Sequence, residues 1–521
     1  MKKNTLYLIG VLTLVVLVMS CSFNKNNRPS HQDTTIKNAA TIQVVSHRGA
    51  NQLAPENTYA SAKKAIESGA HYVEVDVRRS KDGVYYNFHD RTLNRTTNGS
   101  GVLSETGSAV IDTLDAGSWF AHEYAGERVP RVFEFLQWIK GKAKVYFDLK
   151  DVRLEEFIPE IYKIGMENDC FFRLSNRQLL QEFRNKYPGL AIKMKASSVE
   201  ALDSLQTIYN PQVIECSVNN LSDDLIRECH KRGMKIMPYM TGNDWKAYRI
   251  ALSKDVDMVF VDSPDVFSDM AKNGGVFKGY KLIAHRGGIV EGKYNAFDPA
   301  SVQEAIDQGY YMLEVDVRPT KDGVIILNHD SDFSDIYNVP RRVADMTWEE
   351  IQKLRPVNGK DYHPLSFEEL CQMCSGKVKL MIDVKGNQAP EFYFQLGKIM
   401  EKYGLLTSSY FIDKKGKNYL WGKAKFSVRA NEVDSLKAKL GKGEDIACHY
   451  FLFENGNRLA SEAIKWCQQH YVTVVPTVNI WQYQSEDYRR GANRDIEFFK
   501  ECGVTEFQID SDFDEWFFAE K

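Results

Sequence analysis

Cysteine and proline are scarce in this chain, at 9 and 15 among 521 residues, and neither sign of charge is in excess. Lys plus Arg number 67 against 70 Asp plus Glu, a net charge of -3. A general nucleic-acid binder carries a basic excess, so the balance argues against one, and no nucleic-acid partner is expected. With 34 Gly the chain is no collagen or low-complexity scaffold, and a hydrophobic content of 43% excludes a disordered one. The cysteines give only a weak metal or redox signal. Cys371-x-x-Cys374 stands without a second pair at zinc spacing, and buried free thiols are the reading it favours. No glycine-rich nucleotide loop follows the first strand candidate, which argues against a doubly wound sheet. A long apolar run is missing too. The run from Leu6 to Met19 falls short of the ~20 residues that span a bilayer.

That run still has a defined shape. Lys2 and Lys3 precede it, and Val18-Met19-Ser20-Cys21 closes it, the pattern of a secretory signal. It resembles a bacterial lipoprotein signal. The resemblance implies that residues 1–20 are removed and that Cys21 is lipidated. The protein is then held at the bacterial cell envelope, periplasmic or surface-exposed, with the membrane as a partner through the anchor. Ordinary cleavage and an anchor helix left in place are the alternatives. Residues 21–41, rich in Asn, Lys and Ser, suit a polar tether. Eight cysteines remain beyond Cys21, and an exported chain is able to oxidise some of them.

The rest of the chain repeats itself. His71–Asp90 reads HYVEVDVRRSKDGVYYNFHD and Tyr311–Asp330 reads YMLEVDVRPTKDGVIILNHD, identical at 11 of 20 positions. Chance gives about one. SHRGA at 46–50 returns as AHRGG at 284–288, FDLK at 147–150 as IDVK at 382–385, and FVDSP at 260–264 loosely as QIDSD at 508–512. Two homologous domains follow, at 42–272 and 280–521, with Lys272-Asn-Gly-Gly as the joint. In the first, strand candidates are Ile42–Ser46, Tyr72–Arg78, Lys144–Leu149, Gly189–Met194, Val213–Cys216, Lys235–Tyr239 and Met258–Val261. Helical patterns such as Tyr59–Ser68 and Asp224–Arg232 separate most of them. Alternation of this kind predicts parallel strands with crossover helices, hence two tandem (β/α)8 TIM-like barrels.

Strand side chains alternate with period two. In Val73-Glu74-Val75-Asp76-Val77 the valines share one face and the carboxylates the other, which points inward. Leu313-Glu314-Val315-Asp316-Val317 repeats the design. Asp148 with Lys150, and Asp383 with Lys385, share faces in the same way. Adjacent ionised carboxylates repel unless a cation or proton lies between them. Three converging carboxylates without a cysteine pattern suit Mg2+ or Ca2+ better than zinc. A carboxylate–lysine salt-bridge network is the alternative. His47-Arg48 and His89-Asp90, with His285-Arg286 and His329-Asp330, fall at strand ends, the active face of such a barrel. Two histidines, an arginine, a lysine and a divalent cation suit a phosphate ester. Glu215 and Glu454 correspond as well, either as interior groups or as plain salt bridges.

These residues resemble the glycerophosphodiester phosphodiesterase family. The motifs in the first unit are His47-Arg48-Gly49, Pro55-Glu56-Asn57-Thr58, Glu74-x-Asp76, Lys81-Asp82-Gly83, His89-Asp90, Arg95-Thr96-Thr97-Asn98-Gly99, Leu114 to Phe120 and Asp148-x-Lys150. The resemblance implies a TIM-like barrel and a divalent cation, Ca2+ or Mg2+. It implies hydrolysis of a small glycerophosphodiester to sn-glycerol 3-phosphate and an alcohol. Carried over by position, Glu74, Asp76 and Asp148 are metal ligands, His47 and His89 the acid–base pair, and Arg48, Glu56 and Lys150 substrate-binding. In the second unit Glu314, Asp316 and Asp383 take the metal roles, His285 and His329 the catalytic ones, and Arg286 and Lys385 hold substrate. Asp148 and Asp383 stand where the family usually has Glu, as in the sphingomyelinase D relatives. The second unit reads Tyr294-Asn295-Ala296-Phe297 in place of Pro55-Glu56-Asn57-Thr58 and lacks the RTTNG and LDAGSWF stretches. A lyase forming a cyclic phosphate, and one catalytic domain joined to a phosphodiester-binding domain, are the alternative functions.

Overall fold

The structure is a computed structural model that describes residues 41–242, 244–290, 293–483 and 487–517. The signal segment, Cys21 and most of the tether lie outside the described residues. Eight parallel strands form the first barrel: β1 (Gln43–Ser46), β2 (Tyr72–Arg79), β4 (Lys144–Leu149), β5 (Cys170–Leu174), β6 (Ala191–Lys195), β7 (Val213–Ser217), β8 (Lys235–Met240) and β9 (Met258–Val261). Pairing of β1 with both β2 and β9 closes the ring, and β3 (Tyr85–Asn87) adds to β2 as an antiparallel edge. The second barrel repeats this with β10 (Lys281–Ala284), β11 (Met312–Pro319), β15 (Lys379–Val384), β16 (Tyr410–Phe411), β17 (Lys425–Val428), β18 (Tyr450–Asn455), β19 (Thr473–Val478) and β20 (Glu506–Ile509). Strand β12 (Ile325–Leu327) is its antiparallel edge, and β13 (Asp332–Phe333) pairs with β14 (Val339–Arg342) in a small ribbon. Both closed rings are the (β/α)8 barrels that the repeat predicts. Strand β5 is an addition to the sequence reading.

Period two decides what each strand buries. On β2, Val73, Val75 and Val77 pack outward with helical Ala62, Ala65 and Phe135. Tyr72 points inward with Tyr146, Phe171, Met237 and Phe260, filling the barrel floor. Tyr146 and Phe171 stack at 4.6 Å. Glu74 and Asp76 lie above that floor, and the parallel register sets Asp76 beside Asp148. The second barrel has Met312, Met381, Tyr410 and Phe451 as its floor and Asp316 beside Asp383.

Helices follow their sequence signals. Thr58 caps Tyr59–Glu67 through a capping box with Ser61, and Ser222 caps Asp223–Lys231. The side-chain oxygens satisfy amide groups that a helix start leaves free. At the joint, Phe277 and Tyr280 pack on Trp245 of the first barrel, and Tyr280 also packs on Phe507 and Phe517 of the second. The barrels meet again through the long loop after β3. Its Glu123 pairs with Lys379 at the start of β15 at 3.9 Å, and Trp119 and Phe120 pack on Tyr471, which precedes β19. The N-terminal ends of second-barrel strands thus rest on loops from the C-terminal end of the first. All eight described cysteines are free, and seven are buried. No described helix is long and apolar enough to cross a membrane.

Candidate active site

His47 follows β1 directly and Arg48 takes a left-handed backbone at φ 56°, a conformation few non-glycine residues adopt. That turn aims the Arg48 amide at Glu74 Oε2, 3.0 Å away. Arg286 repeats it at φ 52°, with its amide 3.0 Å from Glu314 Oε2. Strain kept at both copies marks these turns as built features.

The first-barrel carboxylates of Glu74, Asp76 and Asp148 offer oxygens that lie within 4.8 Å of one another, and so do Glu314, Asp316 and Asp383 in the second. Burial and the neighbouring Asp76 push the Glu74 carboxyl up to about 8. Glu314 is likewise raised to about 8 by burial and Asp316. Asp76 stays ionised: burial opposes this, but Lys150, His89 and Arg48 outweigh it. Lys150 Nζ lies 3.0 Å from Asp76 Oδ1 and 2.8 Å from Asp148 Oδ2, while Lys385 Nζ lies 2.7 Å from both Asp316 and Asp383. Arg173 of β5 adds a 2.6 Å contact to Asp148. The lysine network therefore exists, yet it leaves gaps. Asp148 Oδ1 and Asp316 Oδ2 are buried with no hydrogen-bond partner. Buried oxygens of that kind, in an all-oxygen set beside a carboxyl held neutral by its neighbours, fit a hard divalent cation.

Each histidine is held at Nδ1 by an aspartate. His47 contacts Asp262 Oδ1 at 2.5 Å, and His285 contacts Asp510 Oδ1 at 2.6 Å. His89 contacts Asp90 at 2.7 Å, and His329 contacts Asp330 at 2.8 Å. His47 Nε2 faces Glu74 Oε2 at 3.6 Å. Burial works against the His47 proton, but Glu74 and Asp262 together raise its pKa. Asp262 and Asp510 had no role in the sequence reading, although the FVDSP and QIDSD echo contains them.

Glu56 lies behind Arg48 and is filled by the protein itself. It accepts from Arg48 Nη1 at 3.0 Å, from Arg95 at 2.7 and 2.8 Å, and from the Tyr471 hydroxyl at 2.8 Å. Arg95 also grips Asp90 at 2.6 Å and so reaches His89. Four donors converge on Glu56, so its carboxylate orients Arg48 and Arg95. Tyr471 comes from the other barrel, and no sequence signal pointed to it. Asn57 donates to Asp76 Oδ2 at 2.9 Å.

The second site loses this arrangement. Phe297 has the left-handed φ of 59° that Asn57 has, and its amide bonds to Arg286 O as that of Asn57 does to Arg48 O. Asp298 caps the next helix as Thr58 does. Ala296 is therefore the counterpart of Glu56, one residue on from the pairing read from the sequence. Without the Asn57 amide that serves Asp76 in the first barrel, Asp316 Oδ2 is buried and unpartnered. Asp383 is also more open, at 24% side-chain exposure against 5% for Asp148. A cavity of about 860 Å³ opens there, lined by His285, His329 and Asp383 and by Arg429, Arg458 and Trp481. Glu454 lines it too, whereas Glu215 is buried in ion pairs with Lys193 and, at 3.0 Å, Lys195.

Two tandem (β/α)8 barrels, each with three carboxylates and two aspartate-held histidines at the C-terminal ends of its strands, define the class of molecule. The chain belongs to the glycerophosphoryl diester phosphodiesterase family, whose model matches residues 47–266 and 293–444. It is 30% identical over 250 residues to a glycerophosphodiester phosphodiesterase of Caldanaerobacter subterraneus, covering 44% of this chain and 98% of that one. A Bacillus subtilis glycerophosphodiester phosphodiesterase is 28% identical over 306 residues, 52% of this chain and 99% of that one. The crystal structure of an Agrobacterium tumefaciens glycerophosphodiester phosphodiesterase is 36% identical, covers 44% of this chain and 99% of its own, and has a TM-score of 0.42.

Proposed function

We propose that the first barrel hydrolyses glycerophosphodiesters to sn-glycerol 3-phosphate and an alcohol. The second barrel keeps the same chemistry for a phosphodiester of another shape. One observation carries this reading: in both barrels a buried carboxylate group with an unpartnered oxygen sits beside two histidines whose Nδ1 atoms are tied to aspartate. The names of the relatives support the substrate class.

The tie at Nδ1 leaves Nε2 of each histidine as the atom that moves a proton. Water adds to phosphorus and the bond to the alcohol oxygen breaks. One imidazole takes the water proton and the other returns a proton to the alcohol. Arg48, held by Glu56, grips phosphoryl oxygens, and Lys150 borders the same space. Glu74, Asp76 and Asp148 would hold a divalent cation, as would Glu314, Asp316 and Asp383. When bound, such an ion supplies Lewis-acid stabilisation of charge on the phosphoryl oxygens.

The test is ³¹P NMR on glycerophosphocholine with His89→Ala and His329→Ala. Loss of an acid–base histidine typically costs about 10²–10⁴-fold. His89→Ala is expected to remove most turnover and His329→Ala to leave most of it. The opposite pattern would assign the activity to the second barrel.

A further inference from the structure

Away from both carboxylate sites, three softer donors meet where the barrels touch. His122 opens the single turn His122–Tyr124 in the long first-barrel loop. Cys448 and His449 lie just ahead of β18. One donor atom from each lies within 4.8 Å of the other two. The two imidazole rings are 5.4 Å apart. His122 Nε2 and His449 Nδ1 are both buried, and neither has a hydrogen-bond partner. A buried ring nitrogen almost always finds a partner, so two orphans in one cluster point to something that belongs between them.

The surroundings hold the donors in place. The Trp421 ring stacks on His449 at 3.8 Å, fixing its plane. Cys448 is 2% exposed. Lys417 and Lys425 face the cluster, and Glu444 and Glu123 answer them.

Two imidazole nitrogens and a sulfur form a different donor set from the all-oxygen sites. Thiolate and imidazole select a thiophilic transition metal, where carboxylates select Ca2+ or Mg2+. We propose that His122, Cys448 and His449 bind one Zn2+-class ion that pins the second barrel to the active-end loop of the first. Coordination replaces the thiol proton, which leaves to solvent, and no oxidation state changes. The three donors leave a fourth position for water or a small anion. The pinned turn continues directly from Trp119 and Phe120, the residues on which Tyr471 packs.

The experiment uses the full chain, stripped with chelator and titrated with Co2+ and then Zn2+. A Glu74→Gln, Glu314→Gln background removes a carboxylate from each oxygen site, so the reading is independent of catalysis. One equivalent of Co2+ is expected to give a thiolate-to-cobalt charge-transfer band that Zn2+ displaces. Cys448→Ser should abolish the band. His122→Ala lies on the other barrel, away from the second core, and should weaken Zn2+ binding about 100-fold or more, since even outer partners of metal ligands contribute 10–100-fold. Circular dichroism on each variant separates lost binding from lost folding. No sulfur band in the folded wild type, or Zn2+ affinity unchanged in folded His122→Ala, would overturn the proposal.

Discussion

Replacing Tyr471 with Phe removes one oxygen from the second barrel and should be felt in the first. The hydroxyl donates to Glu56 Oε2 at 2.8 Å, and the same carboxylate holds Arg48 and Arg95. A hydrogen bond to a charged group is worth about 1.5–3 kcal/mol. Glu56 Oε2 keeps its bond from Arg95, so it is not orphaned, and the low end, about 1.5 kcal/mol, applies. Felt fully in the transition state, that is about tenfold in rate; felt by half, about threefold. The ring still packs on Trp119 and Phe120, so the barrels stay docked. The assay is glycerophosphocholine turnover in a His329→Ala background, where only the first site is read. A three- to tenfold fall in kcat/KM is expected, mostly through KM, because Arg48 meets the phosphate. Tyr471→Ala, which also deletes the ring, should fall further. Unchanged kcat and KM in Tyr471→Phe would refute the reasoning. So would an equal loss in a His89→Ala background read on a second-site substrate, since that would mark a general loosening.

Cation removal should leave a pH signature in stability. Glu74 and Glu314 rise from an ordinary 4.5 to about 8, so in chelated protein their contribution is full below about 4.5 and fades as pH climbs to about 8. The chelated Tm should therefore fall across that window, and the gain in Tm on adding Ca2+ or Mg2+ should grow with pH; a gain independent of pH would count against a cation at these carboxylates. Turnover should vanish with the same chelation and return with either ion, which full activity after exhaustive EDTA would contradict. At the N-terminus, Cys21→Ser should move the protein out of the detergent phase, and a mature unlipidated N-terminus at another residue would end the lipoprotein reading.

What could be read from sequence follows from periodicity. Glu74 and Asp76 declared themselves because a two-residue period put them on one face and the chain wrote the pattern twice. Asp148 and Asp383 came the same way. Strand β5 did not, since Cys170-Phe-Phe-Arg-Leu is short, mostly apolar and without alternation. Its Arg173, the partner of Asp148, was lost with it. Asp262 and Asp510 were visible as an echo, but a role at His47 and His285 depends on closing β9 onto β1 and β20 onto β10. The pairing of Ala296 with Glu56 needed backbone angles, because the preceding loop differs in length between the copies. Tyr471 reaches Glu56 across 415 positions of chain, with no local pattern to mark it.

The polarity of the contact between the barrels has a further consequence. A head-to-tail joint uses unlike surfaces, so a single joint between two copies leaves one of them with its working end uncovered by the other. Duplicating one barrel therefore yielded two unequal environments from similar sequences. The first copy's working end is partly walled by its sibling, through Tyr471 against Glu56 and Trp119; the second copy's working end faces outward with its cavity of about 860 Å³. Selection then acts on the second copy at two ends for two reasons. Its C-terminal loops are free to follow a new substrate. Its N-terminal rim, through Tyr471, answers to the chemistry of a site it does not contain.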